Sequence, residues 1–491
     1  REVFVQALRR LGVPFVQCLA EADREIAALA NRWGCPVLSL DSDFCVFDLA
    51  GGYCPLSGFQ WQDVRAAEAG GGAPGRYIPA LCFSAERFCG RFGRLQKSLL
   101  PLFAVMSGND YADVPALEGF FSKVRLPEAG RGKHGRMRGL LRWLAQFGGP
   151  EEAVDDVLRC LRKHQREEVR ELLRAAMEDY RPSDVKLEDF FQEGRYECEA
   201  ARSSGLPPWV LGALARGELS PFVSDALILR STFLHVQVEN MQQPSAHSAA
   251  LLLRQVIYGL LLRAPGGAEQ PPAVCEFGRV QKSLKKTLVE AASLPAPFCD
   301  GGCSLEKLTE VPMSCRQLLL LETLGVDMSL LEPVPGHLQL PAAVTCYWTR
   351  SDSKVNLHQL KALLLMIVSG ELQEMANDPD PPLPHAEDDS TAYNQFLRWK
   401  EEKLQSKENK DFDLDAAHSF CQWQCCLQMG LYLNQLLSSP LPEPDLARLY
   451  SGTLVHRLYQ ELKSTPSVEN LFSSSPKMTQ LYRVLLNTVK S

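Results

Sequence analysis

The stretch "EADREIAALANRWGCPVLSLDSDFCVF", residues 21–47, decides how this chain is read. It sets Glu21, Asp23, Glu25, Asp41 and Asp43 around two apolar segments. Ile26, Leu29, Ala30 and Trp33 fall on one face of a helix whose first turn is acidic and whose end is marked by Gly34. "PVLSL" (36–40) then reads as a short buried strand, with Asp41 the first residue past it. Upstream, "VPFVQC" (13–18) has the apolar character of another strand, and "REVFVQALRRLG" (1–12) that of a helix stopped by Gly12. Strand, helix and strand predict a right-handed βαβ unit with parallel strands. In such sheets the functional crevice lies at the carboxyl ends of the strands, so the acidic helix start, Asp41 and Asp43 are expected at one rim. Crowded carboxylates repel and lose hydration, and a divalent cation is the usual compensation.

The chain around this stretch is long enough for several domains. Its 491 residues are 45% hydrophobic and 23% charged, an ordinary composition for an intracellular protein. A net charge of −7 argues against nucleic-acid contact over the whole surface and leaves such contact to local basic patches. No apolar run reaches the ~20 residues needed to cross a bilayer. "HQLKALLLMIVSGEL" (358–372) comes nearest, and no secretory leader pattern opens the chain, so neither membrane nor secretion is expected. The opening "REVFVQALRR" has no initiator Met, which predicts a longer protein around it. Sixteen cysteines are scattered, mostly in apolar contexts such as Cys82, Cys160 and Cys346, the pattern of reduced thiols. His418, Cys421 and Cys425 in "HSFCQWQCC" share a helix face but lack a second pair at zinc spacing, and they read as a core stripe. "CDGGC" (299–303) likewise has no second pair.

Downstream, "RAAEAGGGAPGR" (65–76) reads as a surface loop, and "SAERFCGRFG" and "QKSLLPLFAVMSG" as helices. From about 151 onward the patterns are nearly all helical, with "ANDPDPPLPHAEDDSTA" (376–392) opening an acidic, Pro-rich linker. The expected division is an α/β core over 1–175 carrying a helix–turn–helix-like segment near 130–160, a helical region over 176–375, a linker over 376–412 and a second helical region over 413–491.

Five acids stand out: Glu21, Asp23, Asp41, Asp43 and, in "SGNDY", Asp110. Two ions about 4 Å apart on shared carboxylates are a standard device for phosphodiester hydrolysis. Oxygen donors without His or Cys point to Mg²⁺ or Mn²⁺ rather than Zn²⁺. The plain alternative is that acids favour the first turn of helices and that Asp favours turns.

The order and intervals of these acids resemble the flap-endonuclease (XPG-like) superfamily of PIN-like nucleases. In that superfamily an "EAEA" helix start, a strand, a "D-x-D" pair and a later "G-S-D-Y" carry the catalytic metals. The matching residues are Glu21 and Asp23 in "EADRE", Asp41 and Asp43 in "LDSDF", and Asp110 in "SGNDY". "WQCCLQMGLYLNQLL" (423–437) and "PLPEPDLARLYSGTLVHRLYQELK" (440–463) extend the resemblance to the asteroid family and over essentially the whole chain. The resemblance implies an α/β PIN-like core with a parallel sheet, followed by a large, mainly α-helical region. It also implies two Mg²⁺ or Mn²⁺ ions held by the five acids, nuclear residence, and cleavage of DNA at flaps, overhangs or single/double-strand junctions, in DNA repair.

The pattern departs from the superfamily in two places. Two further aspartates belong to a segment preceding this one, so five of the seven expected carboxylates are present and this piece alone is expected to be weak or inactive. After Asp110, a glycine-containing helix–turn–helix that grips a phosphate is replaced by an insertion and then "GRGKHGRMRGLLRWLAQFGGPEEAV" (130–154). There Gly130, Gly132, Lys133, Arg136 and Arg138 supply a tight turn and a basic helix start for DNA phosphates, or else form a solvated basic loop. "RFGRLQK" (91–97) and "GRVQKSLKK" (278–286) read as solvated helix faces. The competing function is a non-catalytic scaffold whose helical region binds protein partners in signalling or mRNA regulation. A third, an RNA-directed nuclease, has no RNA-binding signature to favour it.

Overall fold

The computed structural model describes residues 1–19, 21–66, 75–108, 117–124, 133–196, 205–262, 271–298, 304–351, 355–376, 386–405, 412–465 and 470–491. Two compact units emerge: Val16–Gly205, and Arg1–Phe15 together with Leu206–Ser491. The first helix, α1 (Glu2–Arg10), therefore belongs to the second unit and not to the α/β core expected over 1–175. Arg1 donates to the carbonyls of Gly217 and Leu219, while the Gln6 amide donates to Pro444 and accepts from the Leu446 N–H.

In the Val16–Gly205 unit, α2 (Asp23–Trp33) buries Ala27, Ala28 and Ala30 and ends at Gly34, whose left-handed φ of +63° suits a residue without a Cβ. Strand β1 (Val37–Ser39) pairs in parallel with β2 (Tyr53–Pro55), not with the expected strand at 13–18. The segment 13–18 is not a strand. Pro14 has no N–H to offer a ladder, and the Val13 N–H is spent on the Leu8 carbonyl of the preceding helix end. Nor is β1 buried on both faces, since Val37 is buried while Leu38 and Leu40 are exposed. Arg65–Ala66 (β3) and Arg76–Tyr77 (β4) close a short antiparallel ladder where a loop was expected.

Helices α3 (Ala85–Gly90), α4 (Leu100–Ser107), α5 (Leu117–Lys123), α6 (Lys133–Leu144), α7 (Pro150–Arg159), α8 (Arg166–Glu178) and α9 (Leu187–Glu193) complete this unit. Its core runs from Ala27 and Phe47 through Leu99, Leu102 and Phe120 to Leu144, Val157 and Leu173.

The other unit is mostly helical: α10 (Pro208–Ala215), α11 (Leu251–Leu261), α12 (Met313–Leu324), α13 (Gly336–Ser351), α14 (Leu357–Ala376), α15 (Ala386–Gln405), α16 (Leu414–Leu436), α17 (Gly452–Ser464) and α18 (Pro476–Lys490). The expected linker is largely a helix, since α15 packs against α14 and α17; residues 377–385 and 406–411 lie outside the described residues. The two expected helical regions form one body, because α13 and α14 pack on α16, α17 and α18. His418, Cys421, Cys425 and Cys426 are buried on α16, whereas "CDGGC" lies outside the described residues.

This unit also holds a sheet where only helix was expected. The segment 278–286 is not a helix face but part of a hairpin, β6 (Ala273–Val280) and β7 (Ser283–Glu290), turning at Gln281 with φ +57°. β6 also pairs in parallel with Ser231–Phe233 (β5). Its inner face is polar: Arg254 of α11 grips Glu276 through Nε–Oε1 at 2.6 Å and Nη2–Oε2 at 3.0 Å. The Arg254 Nη1 donates to the His247 carbonyl at 2.7 Å, and the Tyr258 hydroxyl donates to Glu276 at 2.8 Å.

Burial, reinforced by Arg254, pushes His247 down to about 4, against the weaker pull of Glu276 and Glu239. The unfolded chain takes up this proton near pH 6.5, so its contribution to stability is complete above that pH and is lost as pH falls toward 4. The loss amounts to about 3 kcal/mol at 1.36 kcal/mol per pKa unit. Denaturant unfolding of wild type and His247→Gln at pH 7 and pH 4.5 checks this. The variant is expected to lose less stability on acidification, and equal losses would sink the assignment.

Candidate active site

The site is built at the end of β1. Asp41 takes an extended backbone and caps the 3₁₀ turn Ser42–Cys45, its Oδ1 accepting from the Asp43 N–H at 2.9 Å. The Asp41 N–H donates in turn to Ser39 Oγ at 3.1 Å, and the Tyr53 hydroxyl to the Ser39 carbonyl at 3.3 Å. Phe44 and Phe47 anchor the turn in the core. Helix α2 packs on both β1 and this turn, which brings its acidic start to the end of the strand where Asp41 and Asp43 stand.

The second wall follows α8. The Tyr180 hydroxyl donates to Asp43 Oδ2 at 3.2 Å, and its buried ring packs edge-on against Phe47 at 5.6 Å. Arg24 Nε donates to the Arg181 carbonyl at 2.9 Å, and the Arg24 carbonyl accepts from the Ser183 N–H at 3.1 Å. Burial raises the Asp179 carboxyl above its ordinary range, opposed by Arg24 and aided by Glu178. Burial likewise raises Glu25, whose Oε2 is enclosed without a hydrogen-bond partner, and lifts the Cys45 thiol to about 11, with Asp43 adding to the effect. In all three the largest cause is burial, which disfavours the charged form.

The five acids are not gathered into a cage. Among the described residues no three His, Cys, Asp or Glu side chains form a group that could hold a metal ion. The reason is local: Glu21 is exposed, Asp41 turns back on its own helical turn, and Asp43 is engaged by Tyr180. Asp110 lies outside the described residues. Oxygen donors of this kind suit a hard divalent ion in chemistry, but the geometry observed is not a coordination sphere, and no reaction step is routed through one.

Of the basic segment, Gly130 and Gly132 lie outside the described residues, and Lys133 opens α6. Arg136 and Arg138 are exposed, and the Arg136 guanidinium sits 3.7 Å from the Phe121 ring centroid, a cation–π contact. Helix α6, the turn through Gly148 and Gly149, and α7 follow in helix–turn–helix order, with Glu152 accepting from the Gly148 N–H at 2.8 Å. In the 91–97 segment, Lys97 is paired with Asp48 at 2.7 Å rather than displayed on a helix.

Sequence reasoning missed Tyr180, Asp179 and Glu25 as members of this site. Glu25 had a visible signal, standing one turn after Glu21 in the same stretch. Tyr180 had none, being 137 residues from Asp43. Tyr180→Phe is expected to cost about 1 kcal/mol, the worth of one buried hydroxyl hydrogen bond. That corresponds to about 2–4 °C in the melting temperature of a unit this size. An unchanged melt would remove Tyr180 from the role of holding Asp43.

Comparison with known proteins matches two separate stretches of the chain. The family model "XPG domain containing" matches residues 4–117, and the model "Asteroid N-terminal domain" matches residues 337–491. No solved structure matches the chain. A human protein named Single-strand DNA endonuclease ASTE1 is 50% identical over 506 residues, covering 100% of this chain and 73% of that protein. The zebrafish (Danio rerio) protein of the same name is 35% identical over 503 residues, covering 100% of this chain and 69% of that protein. Protein asteroid of Drosophila melanogaster is 31% identical over 247 residues, 39% of this chain and 28% of that protein. With an XPG-type segment over the candidate acids and half-identity along its whole length, the chain belongs to the asteroid family.

Proposed function

We propose that this chain carries the catalytic unit of a structure-specific endonuclease acting on single-stranded DNA or its junctions with duplex, in DNA repair within the nucleus. The observation that carries the reading is the pair Asp41 and Asp43, fixed on one turn at the carboxyl end of a parallel strand, with α2 packed on that strand and turn. The names of the relatives support the substrate.

Glu21, Asp23, Asp41, Asp43 and Asp110 are the proposed acids, and Mg²⁺ or Mn²⁺ the proposed ions. When bound, such ions activate water and neutralise the leaving oxygen. Tyr180 holds Asp43, and Asp41 holds the turn that carries Asp43. Arg136 and Arg138, with Gly130, Gly132 and Lys133, are the proposed contacts to DNA phosphates, and a protein-binding role of the helical unit is the competing reading.

The test is incubation of the native protein with end-labelled single-stranded, 5′-flap, 3′-overhang and blunt duplex DNA, with Mg²⁺ and with EDTA. Cleavage of one structure that EDTA abolishes is the expected result. Silence on every DNA from a folded protein would overturn the proposal in favour of a scaffold.

A further inference from the structure

The sheet β5–β6–β7 has two unlike faces. Val274 and Glu276 of β6 and Thr232 of β5 point inward and are buried. The alternate residues point outward, where register sets Phe233 and Lys286 on either side of Phe277, Leu288 beside Cys275, and Leu284 beside Arg279. The Phe233 and Phe277 rings lie within 14° of parallel with centroids 4.9 Å apart, and Lys286 Nζ stands 5.9 Å from the centroid of Phe277. Phe233, Leu284 and Leu288 are 66%, 66% and 69% exposed.

The charge around this face has one sign. Lys282, Lys285 and Lys286 are all exposed, Arg279 is neutralised by Glu239, and the carboxylates on β6 and β7 are the buried Glu276 and Glu290 at the far end of the hairpin. A chain of net charge −7 thus carries a local basic edge beside stacked, open aromatic rings. An apolar protein partner would have to cover those ammonium groups, whereas a flexible polyanion with flat bases satisfies rings and lysines together.

We infer that this outer sheet face binds single-stranded DNA, with bases stacking on Phe233 and Phe277 and the backbone held by Lys286 and, at the hairpin turn, Lys282. The choice of ligand rests on the reading above, but the surface lies in the other unit from Asp41 and Asp43, and its test needs no cleavage.

The experiment is fluorescence anisotropy of the native protein with labelled dT20 and with a 20-base-pair duplex, in EDTA. Phe233→Ala/Phe277→Ala is expected to weaken dT20 binding ten-fold or more and duplex binding little, since stacking needs unpaired bases. Phe233→Trp, which keeps a stacking ring at an exposed position, is expected to bind at least as well as wild type. Replacing Lys282 and Lys286 by Ser is expected to lower the slope of log affinity against log salt by about 1.4, at about 0.7 per neutralised phosphate of a single strand. Unaltered dT20 binding by both the Phe and Lys variants, equal loss on duplex, or tighter binding of a protein ligand competing with dT20 would overturn the inference. Normal cleavage by a Phe variant that binds dT20 as wild type would fail this surface alone. Phe-dependent binding without any cleavage would fail the nuclease reading alone.

Discussion

Asp41→Asn/Asp43→Asn is expected to leave the protein folded and to remove its cleavage of single-stranded or junction DNA, by at least about 10³-fold, the scale seen when members of a catalytic unit are lost. Asn is the informative replacement. The Asp41 side chain caps the Ser42–Cys45 turn through the Asp43 N–H, and an Asn oxygen caps about as well, whereas Ala would cost about 1 kcal/mol of structure and confuse the readout. The thermal melt of the Asn variant should match wild type or rise, because two charges are removed from a region where burial already disfavours charge. Full cleavage by a folded Asn variant would exclude these carboxylates from the chemistry.

Removing Glu276 is expected to have the largest effect on stability. Glu276→Leu leaves the Arg254 guanidinium, 3% exposed, without its carboxylate, at a cost of about 3–5 kcal/mol. Arg254→Met/Glu276→Leu, which removes both charges and keeps the volume apolar, should cost far less than either single change, because the penalty is an unpaired buried charge and not the absence of the pair. Denaturant melts of the two singles and the double decide this, and additive losses would overturn it. The same core explains the His247 behaviour, since Arg254 adds to burial in keeping that imidazole neutral.

That buried pair also shows where the sequence misled. Hairpin β6–β7 has a period-two pattern, but its inner face includes Glu276, a residue that pattern reading sends outward. Arg254 and Tyr258, on a helix twenty-two and eighteen residues away, make the inward position tolerable, and no local window contains that fact. By contrast, α2 with its Gly34 stop and the helix closed by Gly12 were legible, because each depends on neighbours in the chain, whereas the strand that pairs with β1, Tyr53–Pro55, was not. The strand at 13–18 failed for a local reason too, at Pro14, but one outweighed by its apolar composition. At the site, the order of the acids was readable from the stretch, whereas their directions were not. Asp41 is turned by an N–H two residues on, and Asp43 by a tyrosine from beyond α8. The boundary at Phe15 was invisible for the same cause: an amphipathic helix announces that it must bury a face, not which body will receive it.

The destination of α1 sets an order of events during synthesis. Its Gln6 is matched by Leu446, 440 residues later. At ribosomal rates of roughly 5–20 residues per second, that partner emerges on the order of 20–90 seconds after α1 does. Within that interval the last residue of the Val16–Gly205 unit emerges, on the order of 10–40 seconds after α1, so that unit can condense while Gln6 still lacks Leu446. Until Leu446 emerges, α1 is incompletely partnered and offers a natural hold point for a chaperone.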